Sequence, residues 1–167
     1  MTSEEKVILL EQKLKALQMY YAAALADSVL RYGNAGVLNR VAEQKRAEQM
    51  KTGAVLAERF GVREPKQAFT KIQEIYGCAN WVCEDAADGF NAVCTNCTLC
   101  AISKKMGAYS PCQVHCLSPI EAMLKGVAPG AEFYADETLW DGAKCLVRVV
   151  LPEHFLKLNQ TNITPTH

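Results

Sequence analysis

Five of the eight cysteines in this 167-residue chain lie between Cys94 and Cys116, with the spacings C-x2-C-x2-C and C-x3-C. A thiolate is a strong, soft ligand for Zn²⁺ and for the irons of an iron–sulfur cluster. The x2 spacing lets a tight turn direct neighbouring sulfurs toward one point, and two cysteines four residues apart share one face of a helix. The sequence therefore predicts a metal or cofactor site whose candidate ligands are Cys94, Cys97, Cys100, Cys112 and Cys116.

The spacing leaves the nature of this centre open. C-x2-C-x2-C is similar to the start of a bacterial ferredoxin motif, but Lys104 occupies the place of the fourth ferredoxin cysteine. A cluster would then take its fourth ligand from Cys112 or Cys116. Zinc needs only one set of four thiolates, which is available in Cys97, Cys100, Cys112 and Cys116. The surplus thiols favour an iron–sulfur cluster, with 4Fe–4S among the candidates, over zinc; they are Cys83, Cys94 and Cys145.

Two alternatives need no metal, and whether the chain is an enzyme stays open. In the first, a thiolate of Cys100 or Cys116 attacks a small C–N or C–S ring compound, and His115 or Glu121 moves protons. In the second, a non-enzymatic module uses its cysteines to sense redox state. The residues expected to be catalytic, if the chain is an enzyme, are Cys116, His115 and Cys145.

Composition narrows the choice of compartment and partner. The chain is 50% hydrophobic and 22% charged, and its net charge is zero, which argues against nucleic acid as a partner. The first residues lack the basic and apolar regions of a signal peptide, and no apolar run is long enough for a membrane span. We therefore expect a cytoplasmic protein, in which clustered thiols serve as ligands or catalysts rather than as disulfides.

Apolar residues at a spacing of three to four predict a long first helix with one buried stripe. Thr2 and Glu5 have capping-box spacing at its start, and Gly33 is expected to cap its end. A second helix is predicted over 37–60 and a third over 65–77. The predicted stripe of the first helix consists of Val7, Leu10, Leu14, Leu17, Tyr21, Ala24 and Val29.

The remainder of the chain has strand and turn signals. "NWVCEDAADGFNAV" predicts a first hairpin, and "AEFYADETLWDGAKCLVRVVLP" predicts a second one with Asp141-Gly142 as its turn. Between them, "CTLCAISKKMG" and "SPCQVHCLSPIEAMLKG" predict two short helices. The predicted fold is α+β, a helical layer followed by an antiparallel sheet with cysteine-bearing helices. Its predicted parts are a scaffold or homodimerisation region (1–77), a cysteine-rich domain (78–158) and a flexible tail (159–167).

The order of these features resembles the L-2-amino-thiazoline-4-carboxylic acid hydrolase-like family, which is related to vinyl-4-reductase-type small-molecule-binding domains. The similarity covers roughly residues 78–150, through "CTLCAISKKMG", "CQVHCLSPIEAML" and "ETLWDGAKCLVRV". It implies hydrolysis of a thiazoline ring in a pocket between the cysteine helices and the last hairpin. The positions that match the family are Cys97, Cys100, Cys116, Thr138, Gly142 and Cys145.

One position departs from the family pattern. Three residues after the cysteine that matches Cys116 the family carries an aspartate, and Pro119 stands there in this chain. A carboxylate that could activate water or hold an amino group is therefore missing. The additional Cys94 and Cys112 indicate a cluster-bearing branch of the family that binds or transforms a small molecule beside the cluster.

Overall fold

A computed structural model describes residues 1–156 and confirms the predicted α+β fold. The predicted tail, 159–167 with His167, lies outside the described residues. The helices are α1 (Ser3–Asn34), α2 (Leu38–Arg59), α3 (Gln67–Tyr76), α4 (Thr98–Lys105) and α5 (Ser118–Val127), and a π-helical turn (Cys112–Leu117) runs directly into α5. The strands are β1 (Ala79–Ala86), β2 (Gly89–Cys97), β3 (Glu132–Glu137) and β4 (Cys145–Val150).

Helix α1 begins as predicted, but its end and its buried face differ from the prediction. Glu5 N–H donates to Thr2 Oγ1 and Thr2 N–H donates to the Glu5 carboxylate, so the capping box is confirmed. The helix ends at Asn34, and Gly36 rather than Gly33 adopts the left-handed conformation after it. The predicted buried stripe is wrong except at Val29, since residues 3–17 are all exposed and Tyr21 and Ala24 are exposed as well. The residues of α1 that are buried are Ala22, Ala26 and Val29.

The four strands form one antiparallel sheet in the order β1-β2-β4-β3. Both predicted hairpins are present, since β1 pairs with β2 and β3 pairs with β4. The second hairpin has a longer connection than predicted: Glu137 ends β3, Cys145 begins β4, and the Asp141 and Gly142 N–H groups donate to the Thr138 carbonyl. The central strands β2 and β4 place Cys94 directly opposite Cys145.

The main hydrophobic core joins both predicted segments of the chain. Phe69 of α3 is fully buried and makes edge contacts with Trp81 and Phe90 of the sheet, while its ring stacks on Phe133. Helix α5 packs between the sheet and α2. Within residues 1–156, no helix combines the length and apolar character needed to cross a membrane.

Candidate functional site

Six cysteine side chains surround one small cavity between the sheet and the cysteine-bearing helices. Strands β2 and β4 supply Cys94 and Cys145. Cys97 caps the start of α4, because its Sγ accepts a hydrogen bond from the Cys100 N–H at 3.4 Å. The cavity volume is about 20 Å³, and Trp81, Leu99, Pro111 and Leu117 contribute apolar walls. The cysteines that line it are Cys94, Cys97, Cys100, Cys112, Cys116 and Cys145.

The π-helical turn brings the second cysteine pair to this cavity. A π-helical turn is rare and occurs frequently at functional sites. Here it spans Cys112–Leu117, and the Ser118 N–H donates to the Gln113 carbonyl, five residues earlier. The wider turn still keeps Cys112 and Cys116 on one side, because both side chains line the cavity. Pro119 then lies in the first turn of α5.

Burial keeps most of these thiols protonated. It raises the pKa of Cys100 to about 12, and it raises the pKa of Cys112 and, more strongly, that of Cys116. The pKa of Cys97 is raised mainly by a hydrogen bond to Cys78 and secondly by burial. These four thiols therefore carry protons at neutral pH that a metal would have to displace.

Cys94 and Cys145 behave as a hydrogen-bonded pair across the two central strands. Their mutual hydrogen bond lowers the pKa of Cys94 to about 7 and raises the pKa of Cys145. The Leu139 N–H donates to Cys145 Sγ at 3.2 Å, and Cys94 Sγ lies 3.1 Å from the Asn96 carbonyl oxygen. The two thiols therefore ionise as a linked pair, in which Cys94 loses its proton more readily than Cys145.

The donor set has the chemistry of a metal centre, but its spacing differs from that of a single-ion site. Within residues 1–156, no three His, Cys, Asp or Glu side chains are positioned to hold one metal ion. Four thiolates around one Zn²⁺, each about 2.3 Å from the metal, would lie about 3.8 Å from one another. A cluster is bound by one thiolate per iron in a 4Fe–4S centre, so its ligands lie farther apart. The small cavity favours one ion.

Two further cysteines, Cys78 and Cys83, do not line the cysteine cavity. Cys83, in β1, lies outside the cavity, and burial raises its pKa to about 11. Cys78 hydrogen-bonds to Cys97, a contact that the sequence did not reveal because 19 residues separate the two positions. The short motif spacings that indicate the expected ligands do not extend to such a pair.

A larger cavity of about 140 Å³ lies on the opposite side of Cys97 and Cys116, against helices α1, α2 and α3. It shares Cys97, Leu99 and Cys116 with the cysteine cavity. The expected pocket between the cysteine helices and the last hairpin corresponds to the small cavity, so the larger one was not predicted. Its apolar walls include Tyr21, Leu25, Leu56, Phe60, Ile72 and Met123.

Three polar side chains interrupt the apolar walls of the larger cavity: Lys45, Gln49 and His115. Burial lowers the pKa of Lys45. The Gln49 Oε1 atom is buried and has no hydrogen-bond partner among the described residues. Lys45 and Gln49 are four residues apart on α2 and therefore face the same side. They lie in a polar helix without cysteine or histidine, so no sequence motif indicated them.

His115 faces the helices rather than the thiols. Ser28 Oγ donates to the Leu25 carbonyl at 2.7 Å, so it accepts from His115 Nε2 at 3.0 Å. His115 Nδ1 then accepts from Lys45 Nζ at 3.4 Å. Burial, with Lys45 nearby, lowers the pKa of His115 to about 4. Both ring nitrogens are therefore engaged away from Cys116, although both residues border the larger cavity.

Glu121, the other candidate base, is held in an ion-pair network that links α2 and α5. Its carboxylate accepts three hydrogen bonds from Arg46, one from Nε at 3.0 Å and two from Nη2 at 2.8 and 2.9 Å, and a fourth from Lys125 at 2.7 Å. It lines neither the cysteine cavity nor the larger cavity. The Glu121 carboxylate therefore links α2 to α5 through ion pairs and is not positioned beside the thiols for the expected proton transfer.

The loop between β3 and β4 contacts α4 and the thiol of Cys145. The Leu139 N–H donates to Cys145 Sγ at 3.2 Å, and Lys104 Nζ donates to the Leu139 carbonyl at 2.7 Å. Gly142 packs against the Glu137 carboxylate, and a side chain at this position would overlap it.

Comparison of the chain with protein-family models, curated proteins and solved structures found no match.

Proposed function

We propose that this chain is a cysteine-ligated metal protein that binds or transforms a small molecule beside its metal centre. The single observation that supports this proposal is the convergence of six thiols on one cavity. One cysteine in a core is ordinary, but six around a common space form a donor set suited to an iron–sulfur cluster or zinc. A cytoplasmic location, where thiols stay reduced, is part of the proposal.

Four cysteines are the proposed ligands, because all four line the cavity from the two short segments that carry the C-x2-C and C-x3-C spacings. Burial, together with the neighbouring thiols, raises the pKa of Cys100, Cys112 and Cys116. Cys94 and Cys145 lie beside this set as a separate hydrogen-bonded pair. A bound cluster would supply electron transfer or Lewis acidity at the cavity wall. The proposed ligands are Cys97, Cys100, Cys112 and Cys116.

The larger cavity is the proposed small-molecule site, because Cys97 and Cys116 border both cavities. Its apolar walls would exclude water from a bound molecule. The buried Gln49 Oε1 would accept a hydrogen bond from the ligand, and Lys45 Nζ would donate one. Thiazoline hydrolysis, implied by the family resemblance, is one reaction of this kind, but the chain carries Pro119 where the family has its carboxylate.

Reconstitution of cysteine variants tests the ligand assignment. Cys97→Ser and Cys116→Ser should each abolish or strongly reduce the binding of iron and sulfide, or of zinc, by the anaerobically treated protein. Cys83→Ser is the matched control, since Cys83 lies outside the cavity, and it should load like the unmodified protein. Equal loading of all three variants would refute the proposed ligand set.

A redox-sensing module is the second candidate, favoured by hydrogen-bonded thiol pairs at the site. These pairs are Cys78 with Cys97, Cys94 with Cys145, and Cys100 with Cys112. Cys94 and Cys145 are also direct cross-strand partners. Mass spectrometry after mild oxidation of the metal-free protein separates the candidates: reversible disulfides in a protein that never binds metal would favour the sensor.

A further inference from the structure

The exposed first half of α1 carries a regular apolar seam. Val7, Leu10, Leu14 and Leu17 are spaced by three, four and three residues, which is the a/d pattern of a coiled coil. Their exposed fractions are 53%, 64%, 47% and 67%, respectively. Such continuous exposure of large apolar residues on one helix is unusual for an isolated surface and indicates an interaction site.

The seam ends where α1 meets α3: Tyr21, at the next a position, stacks on Tyr76, and Gln18 donates to the Ile75 carbonyl. Ala22, Ala26 and Val29 form the buried face in the second half of the helix. At about 100° per residue, the seam lies roughly a quarter of a turn away from that face. A second helix could therefore lie along residues 7–17 without displacing α4, the element that α1 contacts most, and it would diverge from α1 beyond Leu17, where α3 packs.

We infer that the seam binds the same segment of a second copy of this chain, as a short parallel coiled coil. The charges that flank the seam identify this partner. With Val7 at an a position, Lys6 and Lys13 occupy g positions and Glu11 occupies an e position. In a parallel pair, each g residue faces the e residue five positions later on the partner, so Lys6 meets Glu11 twice around the twofold axis.

The opposite orientation brings like charges together. An antiparallel pair in which Leu10 packs on Leu14 of the second copy places g beside g and e beside e. Lys13 would then face Lys13, and Glu11 would face Glu11. Like charges at such positions repel, so the charge pattern selects the parallel arrangement. Both globular bodies then lie at the same end of the paired helices.

Analytical ultracentrifugation of the full chain over a concentration series tests the interface. The unmodified protein should dimerise reversibly, and Leu14→Lys should leave it monomeric with unchanged circular dichroism. Gln12→Lys adds the same charge at the outward-facing f position and should dimerise normally. A protein that stays monomeric at every concentration, or a dimer lost in Leu9→Lys but not in Leu14→Lys, would overturn the inference.

A charge-reversal cycle tests the orientation. Lys6→Glu and Glu11→Lys should each weaken the dimer by about threefold to tenfold at low salt, because each places like charges face to face. The combination of both substitutions should restore the affinity, since the carboxylate introduced at position 6 would then face the amine introduced at position 11 of the second copy. An antiparallel dimer would show no such restoration, and that result would overturn the parallel arrangement.

Discussion

At the candidate site, burial shifts the pKa values of single side chains more than neighbouring charges do. The cysteine cavity holds thiols whose pKa values are raised, and the neighbouring larger cavity holds a histidine whose pKa is lowered to about 4. In both cases removal from water disfavours the charged form. A metal that replaces the thiol protons therefore binds more readily as the pH rises.

His115 should make the protein less stable in mild acid. Its pKa is about 6.5 when unfolded and about 4 when folded, so between these values only the unfolded chain takes up the proton. The free energy of unfolding should fall by about 1–3 kcal/mol as the pH drops from about 6.5 to 4. This energy is lower than the full pKa difference would give, because the ring is only half-buried. Chemical denaturation at several pH values should show this component lost in His115→Asn but retained in His154→Asn, whose ring is exposed. The same pH dependence in both variants would contradict the assignment.

The buried Gln49 Oε1 atom should cost the ligand-free protein stability. An acceptor without a partner loses its hydration and gains nothing in return. Gln49→Met should therefore stabilise the protein by about 0.5–2 kcal/mol in thermal or urea unfolding. The control is Gln44→Met on the exposed side of α2, where Gln44 donates to Glu48. Loss of stability in Gln49→Met alone would show that the amide has a structural partner.

Secondary-structure elements position the site through very close helix packing. Gly53 of α2 and Gly126 of α5 lie where each helix touches the other's backbone, and an added Cβ at Gly53 would overlap the Ala122 carbonyl. This contact fixes α5 and the π-helical turn that precedes it. It also brings Arg46 of α2 to the buried carboxylate of Glu121.

Gly53→Ala should destabilise the protein by about 1–3 kcal/mol, even though alanine favours a helix by about 1 kcal/mol. The overlap involves backbone atoms that cannot rotate away. Lys51→Ala, at an exposed position of the same helix, should change the unfolding free energy by less than about 0.5 kcal/mol. Urea unfolding measures both. A neutral or stabilising effect of Gly53→Ala would mean that the two helices can separate without loss.

Local patterns predicted the elements better than they predicted contacts between them. The first hairpin and the capping box of α1 depend on neighbouring residues, and both are confirmed. The apolar stripe of α1 was misassigned because a/d spacing looks the same whether the partner is the chain's own core or a second molecule. The 138–144 connection was mistaken for a two-residue turn, since Asp141-Gly142 is a strong turn signal even inside a longer loop.

At the scale of the whole molecule, the two predicted segments build the candidate site together. The cysteine spacing indicated one wall of the site, and the structure adds the helical wall that contains Lys45 and Gln49. That wall could not be predicted, because its residues are distant from the cysteine segments in the sequence and approach them only in the folded chain. Lys45 and His115, for example, are 70 residues apart. A metal centre at Cys97 and Cys116 would thus contact a pocket formed largely by the first helices.

Iron, zinc and acid-labile sulfide content of the protein, purified without oxygen, is the most direct measurement of the central claim. We expect a metal centre in stoichiometric amount: iron with matching sulfide and a brown colour for a cluster, or zinc without sulfide. A colourless protein that is folded and fully reduced, contains neither metal, and takes up neither on anaerobic reconstitution would contradict it.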